Sequence, residues 1–168
     1  MRSDHPIQLP MPRTSNPVLR RATGADIPAM SAIRLRVTEN TLSDPARITY
    51  AMYEDFLEKS GRGWVAEIDG EIVAFCYADK VNASIWALFV SPGSEGNGFG
   101  QLLLKLAVDW LFELGHRRVH LTTGAHTRAD RFYSEQGWTR HPVIPADVKY
   151  SLQAPHKTLA PPSYGKSF

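Results

Sequence analysis

The chain lacks most of the features that mark several large classes of protein. It has one cysteine among 168 residues, Cys76, which excludes an internal disulfide and is typical of a reducing compartment. No apolar run reaches the roughly 20 residues that a membrane-spanning helix needs, and the first residues lack the apolar core of a secretion signal. The net charge is only +2, with Lys and Arg scattered along the chain. These absences argue against a disulfide-rich, secreted, membrane or nucleic-acid-binding protein, and we expect a cytoplasmic one.

What remains is the composition of one globular domain, with 43% apolar and 21% charged residues. Residues 1–16 are rich in Pro, Arg and Ser without any periodicity, and residues 154–168 are again rich in Pro. Both segments are therefore predicted to be flexible. Residues 17–153 are predicted to form a single domain, in which Cys76 is a small buried side chain within an apolar strand.

The order of predicted elements indicates an α/β fold. It runs strand, two helices, three strands, helix, strand, helix and a final pair of strands. Asp69-Gly70, between two apolar strands, predicts a tight hairpin turn. Antiparallel strands followed by a strand–helix–strand crossover predict a mixed, mostly antiparallel sheet with helices on both faces. The helix predicted over residues 101–114 has one apolar face, formed by Leu103, Ala107, Trp110 and Leu114.

A glycine-rich turn joins the strand at residues 85–90 to that helix. Gly96, Gly98 and Gly100 let backbone N–H groups point into one concavity at a helix N-terminus, which is a favourable place for a phosphate. A dinucleotide fingerprint fails, because the sixth position is Gln101 or Leu103 instead of glycine. A Walker A loop fails too, because no Gly-Lys-Ser/Thr triplet is present. A pyrophosphate cradle and a plain glycine-rich loop remain as alternatives.

Two segments together resemble the GNAT superfamily of N-acetyltransferases. Residues 90–103, from Val90-Ser91-Pro92 through the glycines, resemble the acyl-CoA-binding motif of that family. Residues 129–138, Ala-Asp-Arg-Phe-Tyr-Ser-Glu-Gln-Gly-Trp, resemble its second signature. The resemblance covers roughly residues 18–152. It implies acetyl-CoA as cosubstrate without a metal, and an amine acceptor that we expect to be a small molecule rather than a nucleic acid or a membrane. Homodimers are frequent in the family, so a second copy of the chain is a further option.

The resemblance also implies which residues bind the cosubstrate. A backbone N–H of the strand before the turn would hold the oxyanion, and that strand would splay from the strand at residues 119–122 to admit the pantetheine arm. The residues so assigned are Leu88, Phe89, Val90, Glu95, Gly96, Asn97, Gly98, Phe99, Gly100, Gln101, His126 and Arg128.

Two of these residues depart from the family pattern. Glu95 stands where the family has Gln or Arg. Because a carboxylate beside a pyrophosphate is unfavourable, we expect its side chain to point away and only its backbone N–H to contact phosphate. His126 stands where the family has an Asn that holds the pantetheine arm. A ring nitrogen of His126 is the functional interpretation, and an exposed loop histidine is the alternative.

The resemblance assigns the role of general acid to Tyr133. Its hydroxyl would protonate the coenzyme A sulfur as the thiolate leaves, and the reference pKa values of about 8.5 for a thiol and about 10 for a phenol are close enough for such a transfer. For an aromatic residue beside Phe132 and Trp138, packing in the core is the alternative.

A general base is harder to identify. A lysine-like amine has a pKa of about 10.4, so holding it neutral at pH 7 costs about 4.6 kcal/mol. Glu39, between the first two helices, and Glu67, in the hairpin, are the candidates, with a solvated surface carboxylate as the alternative for each. Trp86 and Tyr50 are expected either to line an acceptor pocket or to belong to the core.

These expectations combine into one predicted function and one rival. The predicted function is transfer of an acetyl group from acetyl-CoA to a primary amine by direct attack. The rival is a GNAT-like module that senses acyl-CoA without turnover, which the departures at Glu95 and His126 motivate.

Overall fold

A seven-stranded sheet with the order β1-β2-β3-β4-β5-β7-β6 organises the computed structural model, which describes residues 16–37 and 49–156. The strands are β1 (Val18–Arg21), β2 (Gly61–Ile68), β3 (Glu71–Asp79), β4 (Ser84–Val90), β5 (Arg118–Gly124), β6 (Thr139–Arg140) and β7 (Asp147–Gln153). The helices within the described ranges are α1 (Ile27–Arg36), α2 (Tyr50–Glu58), α3 (Phe99–Glu113) and α4 (Arg128–Glu135).

The sheet is mixed and mostly antiparallel, as predicted. Every neighbouring pair of strands is antiparallel except β4 and β5. Among the described residues, β4 and β5 are paired in parallel only at Ser84 opposite His120. Beyond this point the two strands separate, which confirms the predicted splay. The separation leaves one edge of β4 without a strand partner over the part that leads into the glycine-rich turn.

Helices cover both faces of the sheet, which confirms the α/β prediction. On one face α3 and α4 pack over a core that includes Leu103, Leu111 and Tyr133. On the other face α1 and α2 bury Met30, Ile33, Tyr53 and Leu57 over the same sheet. Cys76 is fully buried, as expected for a small apolar side chain.

The predicted apolar face of α3 is partly wrong. The helix begins at Phe99 and ends at Glu113, so Leu114 lies beyond its last turn and is 51% exposed. Leu104 and Val108, which were not predicted, are buried with Leu103 and Ala107. A helix that lies across a sheet contacts it over a stripe wider than one ridge of side chains, so neighbouring positions such as these are buried together.

A hairpin turn and a β-bulge shape the strands β2, β3 and β4. Asp69 and Gly70 both have positive φ, 52° and 81°, which confirms the tight hairpin between β2 and β3. The register between β3 and β4 shifts after Tyr77, so Trp86 is an extra residue without a partner on β3. This bulge bends β4 where it leaves β5. Leu88 and Val90 then pack towards α3, whereas Trp86 and Phe89 pack towards α1 and α2.

The predicted flexible segments at residues 1–16 and 154–168 lie almost wholly outside the described residues, so these predictions stay predictions. None of the helices within residues 16–37 and 49–156 has the length and apolar character required to span a bilayer. The same residues contain no group of three or more His, Cys, Asp or Glu side chains placed to hold a metal ion.

Candidate active site

A cavity of about 730 Å³ opens where β4 separates from β5. Its walls come from β4, the glycine-rich turn, the first turn of α3, one side of α4 and the end of α1. Of the residues predicted to bind the cosubstrate or act on it, the cavity brings together Leu88, Phe89, Val90, Glu95, Gly96, Gly98, Phe99, Gly100, Gln101, Arg128 and Tyr133. Asn97 and His126 do not line it.

The glycine-rich turn adopts a backbone that glycine alone adopts without strain. Gly93, Gly96 and Gly98 have φ of 92°, 77° and 81°. Gly98 is the N-cap of α3 and is left-handed, and no side chain caps the helix. The first N–H groups of α3 are thus left for an anion at this end of the cavity. Gly100 differs, because it lies in the first turn of α3 and an added Cβ would make only ordinary contact with Phe132 at 3.7 Å.

Asn97 braces the turn from outside the cavity. Its side-chain nitrogen donates to the carbonyl oxygens of Ser94 at 3.0 Å and Glu95 at 3.4 Å. These bonds hold the turn in place without presenting the amide to a ligand. Asn97 therefore supports the conformation of the turn and does not form part of the cavity wall.

The side chain of Glu95 is placed differently from our expectation. Its Oε2 lies 3.2 Å from Nη1 of Arg128, and both side chains are about half exposed. Both residues line the cavity. The carboxylate does not turn away from the site but is neutralised beside it by a cation from α4. Sequence reasoning missed this pair because its members are far apart along the chain.

A buried carboxylate anchors the N-terminus of α4. Thr127 caps the helix by accepting the N–H of Asp130 at 3.2 Å. The Asp130 carboxylate accepts from Nε and Nη2 of Arg140 at 2.9 and 2.8 Å, from the His126 N–H at 2.8 Å and from the Tyr150 hydroxyl. Pairing with Arg140 is the main reason why the pKa of Asp130 is lowered well below its ordinary range.

This arrangement bears on the prediction for His126. The Asp130 carboxylate accepts a hydrogen bond from the backbone N–H of His126. That bond holds His126 in the left-handed region, at φ 63°, and the residue does not line the cavity. The sequence did not single out Asp130, because its partners Arg140 and Tyr150 lie on β6 and β7.

Tyr133 belongs to the core and to the cavity at once. The residue is 6% exposed, and its ring packs against Phe132, Trp138 and Tyr150, with ring centroids 5.1, 5.9 and 5.7 Å away. Its hydroxyl has no hydrogen-bond partner within the described part of the chain. Burial, with a smaller effect of Cys76, raises the pKa of Tyr133. The hydroxyl is thus protonated at neutral pH at the wall of the cavity.

The remaining predictions concern the general base and the acceptor pocket. Glu39 lies outside the described residues. Glu67 does not line the cavity, and its Oε2 accepts from Nε of Arg20 at 2.9 Å, so it is a structural ion pair. Tyr50 is 53% exposed, and Trp86 packs partly buried against Tyr53 and Phe56. Neither residue lines the cavity. A carboxylate that the sequence did not single out, Glu135 of α4, does line it.

Comparisons with known proteins agree with this geometry. The Acetyltransferase (GNAT) family matches residues 28–138. A curated relative, mycothiol acetyltransferase of Sanguibacter keddieii, is 33% identical over 118 residues, which are 64% of this chain and 35% of that protein. The chain therefore spans about a third of the length of this relative, and it spans 58% of another curated relative.

Solved structures share the fold at low sequence identity. The Paia N-acetyltransferase of Thermoplasma acidophilum in complex with coenzyme A matches with a TM-score of 0.72 and 12% identity, covering 83% of this chain and 99% of that one. The ribosomal-protein-S18-alanine N-acetyltransferase of Escherichia coli matches with a TM-score of 0.67 and 17% identity, covering 86% and 99%. With the family match extending over more than half of its residues, the chain belongs to the GNAT family of acetyltransferases.

Proposed function

We propose that the chain is an N-acetyltransferase that moves an acetyl group from acetyl-CoA to a primary amine of a small molecule. One observation carries the proposal: a single cavity joins the uncapped N-terminus of α3, the free edge of β4 and the hydroxyl of Tyr133. The first suits a pyrophosphate, the second an amide-bearing arm, and the third a leaving thiolate. A sensing module would need the first two features but not the third, and a plain glycine-rich loop would need none of them.

The residues present fit coenzyme A. The N-terminus of α3 offers backbone N–H groups and the positive end of the helix dipole to a pyrophosphate. Arg128 adds a cation at the same end of the cavity. The edge of β4 that β5 leaves open offers backbone groups to the two amides of pantetheine, as an added strand would. Similarity in fold to an enzyme bound to coenzyme A supports this fit.

The proposed chemistry is a direct attack on the thioester. The neutral amine forms a bond to the carbonyl carbon, and the oxyanion accepts a hydrogen bond from a backbone N–H of residues 88–90. The C–S bond then breaks, and the sulfur takes the proton of the Tyr133 hydroxyl. The proton that the nitrogen releases restores the tyrosine. Burial raises the pKa of Tyr133, so its proton is in place at neutral pH. The same shift makes the phenol a weaker acid than a free tyrosine, so the transfer depends on the negative charge that develops on sulfur as the C–S bond breaks.

Glu39 is our proposed general base. It lies in the segment between α1 and α2, two residues after Val37, which lines the cavity. A carboxylate there would accept a proton from the incoming ammonium group and offset part of the cost of neutralising it. Glu135, at the cavity wall on α4, is the competing carboxylate.

The proposed function is tested by binding and turnover together. Acetyl-CoA is expected to raise the melting temperature of the purified chain, because a ligand that binds only the folded state stabilises it. NAD and ATP at the same concentration are expected to leave it unchanged. A panel of primary amines is then screened for thiol release from acetyl-CoA. A shift without thiol release from any amine would favour the sensing module, and no shift at all would favour a plain glycine-rich loop.

Replacement Glu95→Gln is expected to tighten binding of acetyl-CoA. It removes a negative charge beside the proposed pyrophosphate site and the ion pair that Glu95 makes with Arg128. Exposed ion pairs contribute about 0.2–1 kcal/mol, so the dissociation constant is expected to fall by about 1.5–5-fold. Titration calorimetry at low and high salt measures the change, which salt should diminish. Glu67→Gln, which also breaks an ion pair but lies outside the cavity, is the control, and weaker binding by Glu95→Gln alone would contradict the prediction.

A further inference from the structure

Tyr150 of β7 lies between the sheet and the helix that carries the proposed general acid. It is fully buried, and its ring centre is 5.7 Å from that of Tyr133. Tyr133 lines the cavity, whereas Tyr150 does not. Tyr150 is therefore placed to act on the proposed acid without touching a ligand.

The hydroxyl of Tyr150 holds one full turn of α4. Its oxygen lies 2.7 Å from the backbone oxygen of Asp130 and 2.7 Å from Oγ of Ser134, and it also bonds to the Asp130 carboxylate. Asp130 and Ser134 are four residues apart and therefore lie on the same side of the helix. Tyr133 falls within this turn, so a single hydroxyl ties down the segment of helix from which the proposed acid projects.

The protons of this network have a defined order. The Asp130 carboxylate is ionised at neutral pH, because Arg140 holds its pKa below the ordinary range. An ionised carboxylate is a stronger acceptor than a neutral oxygen, so it takes the single proton of the Tyr150 hydroxyl. The oxygen of Tyr150 is then left to accept the proton of Ser134. Because a hydrogen bond to an ionised group is about twice as strong as a neutral one, this contact restrains the turn firmly.

The hydroxyl of Tyr133 depends on this restraint for its position. Within the described residues it has no hydrogen-bond partner of its own, so the packing of its ring and the placement of α4 fix it. Because the hydroxyl stands at the end of a long side chain, a small rotation of the helix moves it further than the backbone. A general acid must lie within about 2.6–3.2 Å of the atom that it protonates, and a misplacement of about 1 Å can cost about 10²-fold in rate.

We propose that Tyr150 is a positioning residue, whose hydroxyl fixes the turn of α4 that brings the Tyr133 hydroxyl to the thioester sulfur. The inference rests on the proposed function. It adds a residue of β7 to a site whose cavity is lined by α1, β4, the glycine-rich turn, α3 and α4. Tyr150 acts through Tyr133 and takes no part in the proton transfer itself.

Replacement Tyr150→Phe keeps the ring and removes the hydroxyl. We expect kcat to fall by about 10–100-fold while the KM for acetyl-CoA stays unchanged, because the residue acts on the acid and does not line the cavity. Ser151→Ala is the matched control. Ser151 is the next residue of β7 and is also buried, but its Oγ bonds to Nε2 of His141 at 2.8 Å rather than to α4. Its loss should leave kcat at the wild-type value. The variants are compared at a temperature at which melting curves show each of them to be folded.

A double-mutant cycle separates positioning from a general loss of structure. In a chain that already carries Tyr133→Phe no acid remains to be misplaced, so adding Tyr150→Phe should change kcat by less than about 2-fold. An equal loss of kcat in both backgrounds would overturn the inference. Ser134→Ala removes the same contact from the helix side, at an exposed position, and should lower kcat by about 2–10-fold in the wild-type background alone. If Tyr150→Phe does not fold, this variant carries the same test.

The inference and the proposed function fail in different ways. If Tyr133→Phe lowers kcat while Tyr150→Phe and Ser134→Ala match the wild type, the role of Tyr150 is refuted and the proposed function stands. If Tyr133→Phe keeps the wild-type kcat, or if no amine releases thiol from acetyl-CoA, the acid or the reaction itself is refuted, and this inference is refuted with it.

Discussion

Replacement Tyr133→Phe is expected to lower kcat for acetyl transfer by about 10²–10⁴-fold, the usual contribution of a positioned general acid. The KM for acetyl-CoA should change little, because the ring that packs against Phe132, Trp138 and Tyr150 is retained. The fold should be equally stable, since within the described residues the hydroxyl gives up no hydrogen bond. Steady-state kinetics with an acceptor from the amine screen, and a melting curve of each protein, measure both effects.

Tyr77→Phe is the control for this substitution, because it removes a buried phenolic hydroxyl that does not line the cavity. Its kcat should equal that of the wild type. Burial raises the pKa of Tyr133 above its ordinary value of about 10, so this residue should produce no fall of wild-type kcat between about pH 7 and about pH 10. An unchanged kcat of Tyr133→Phe across that range would refute the role of general acid and leave Tyr133 as a core residue.

The sequence predicted those parts of the site that depend on residues close together along the chain. Gly96 and Gly98 indicate a turn with positive φ, and the apolar periodicity after them indicates the helix α3. Tyr133 stands in a short helix whose start at Thr127 and end before Gly137 are marked by a capping residue and a glycine. Local chemistry of this kind is independent of what packs against it. For the same reason the order of strands and helices was predicted correctly.

The parts that the sequence did not predict depend on side chains that meet from distant elements. Asp130 finds its cation on β6 and its phenol on β7, and neither spacing forms a pattern along the chain. Glu95 of the glycine-rich turn pairs with Arg128 of α4 in the same way. Leu114 was misplaced because helix periodicity cannot state where α3 ends or how obliquely it crosses the sheet. Local pattern thus specified backbone conformation, and tertiary packing decided the electrostatics of the site.

Helix α4 carries both Asp130, whose carboxylate holds the helix in place, and Tyr133, the proposed general acid. The N-terminal end of the helix contributes Arg128 and Ala129 to the cavity, and Tyr133 follows within one turn of Asp130. The carboxylate ties this helix to β6 and β7, and it also holds the backbone that precedes the helix. Loss of the carboxylate should therefore loosen the helix that positions the proposed acid.

Replacement Asp130→Ala is expected to lower the free energy of unfolding by about 3 kcal/mol. Removing one partner of a buried ion pair costs about 3–5 kcal/mol, and the lower end applies because the Arg140 side chain is 38% exposed. For a chain of this size the melting temperature should fall by about 6–12 °C. Asp109→Ala is the control: its carboxylate pairs with Lys105 at the surface, and its loss should change stability by less than about 0.5 kcal/mol. Equal melting temperatures for the two variants would contradict the prediction.

The pH dependence of stability tests whether the negative charge of Asp130 is what stabilises the fold. Hydrogen bonds from Arg140 lower the pKa of Asp130 in the folded state below its ordinary value of 3.8. A carboxyl whose folded pKa is depressed stabilises the protein above its unfolded pKa, and this contribution is lost as the pH falls below it. Asp130→Asn keeps the shape of the side chain without the charge. Its deficit in unfolding free energy, measured by urea titration, should therefore be largest near neutral pH and shrink as the pH falls from about 4 to about 2. A deficit that stays constant over this range would assign the loss to side-chain packing instead.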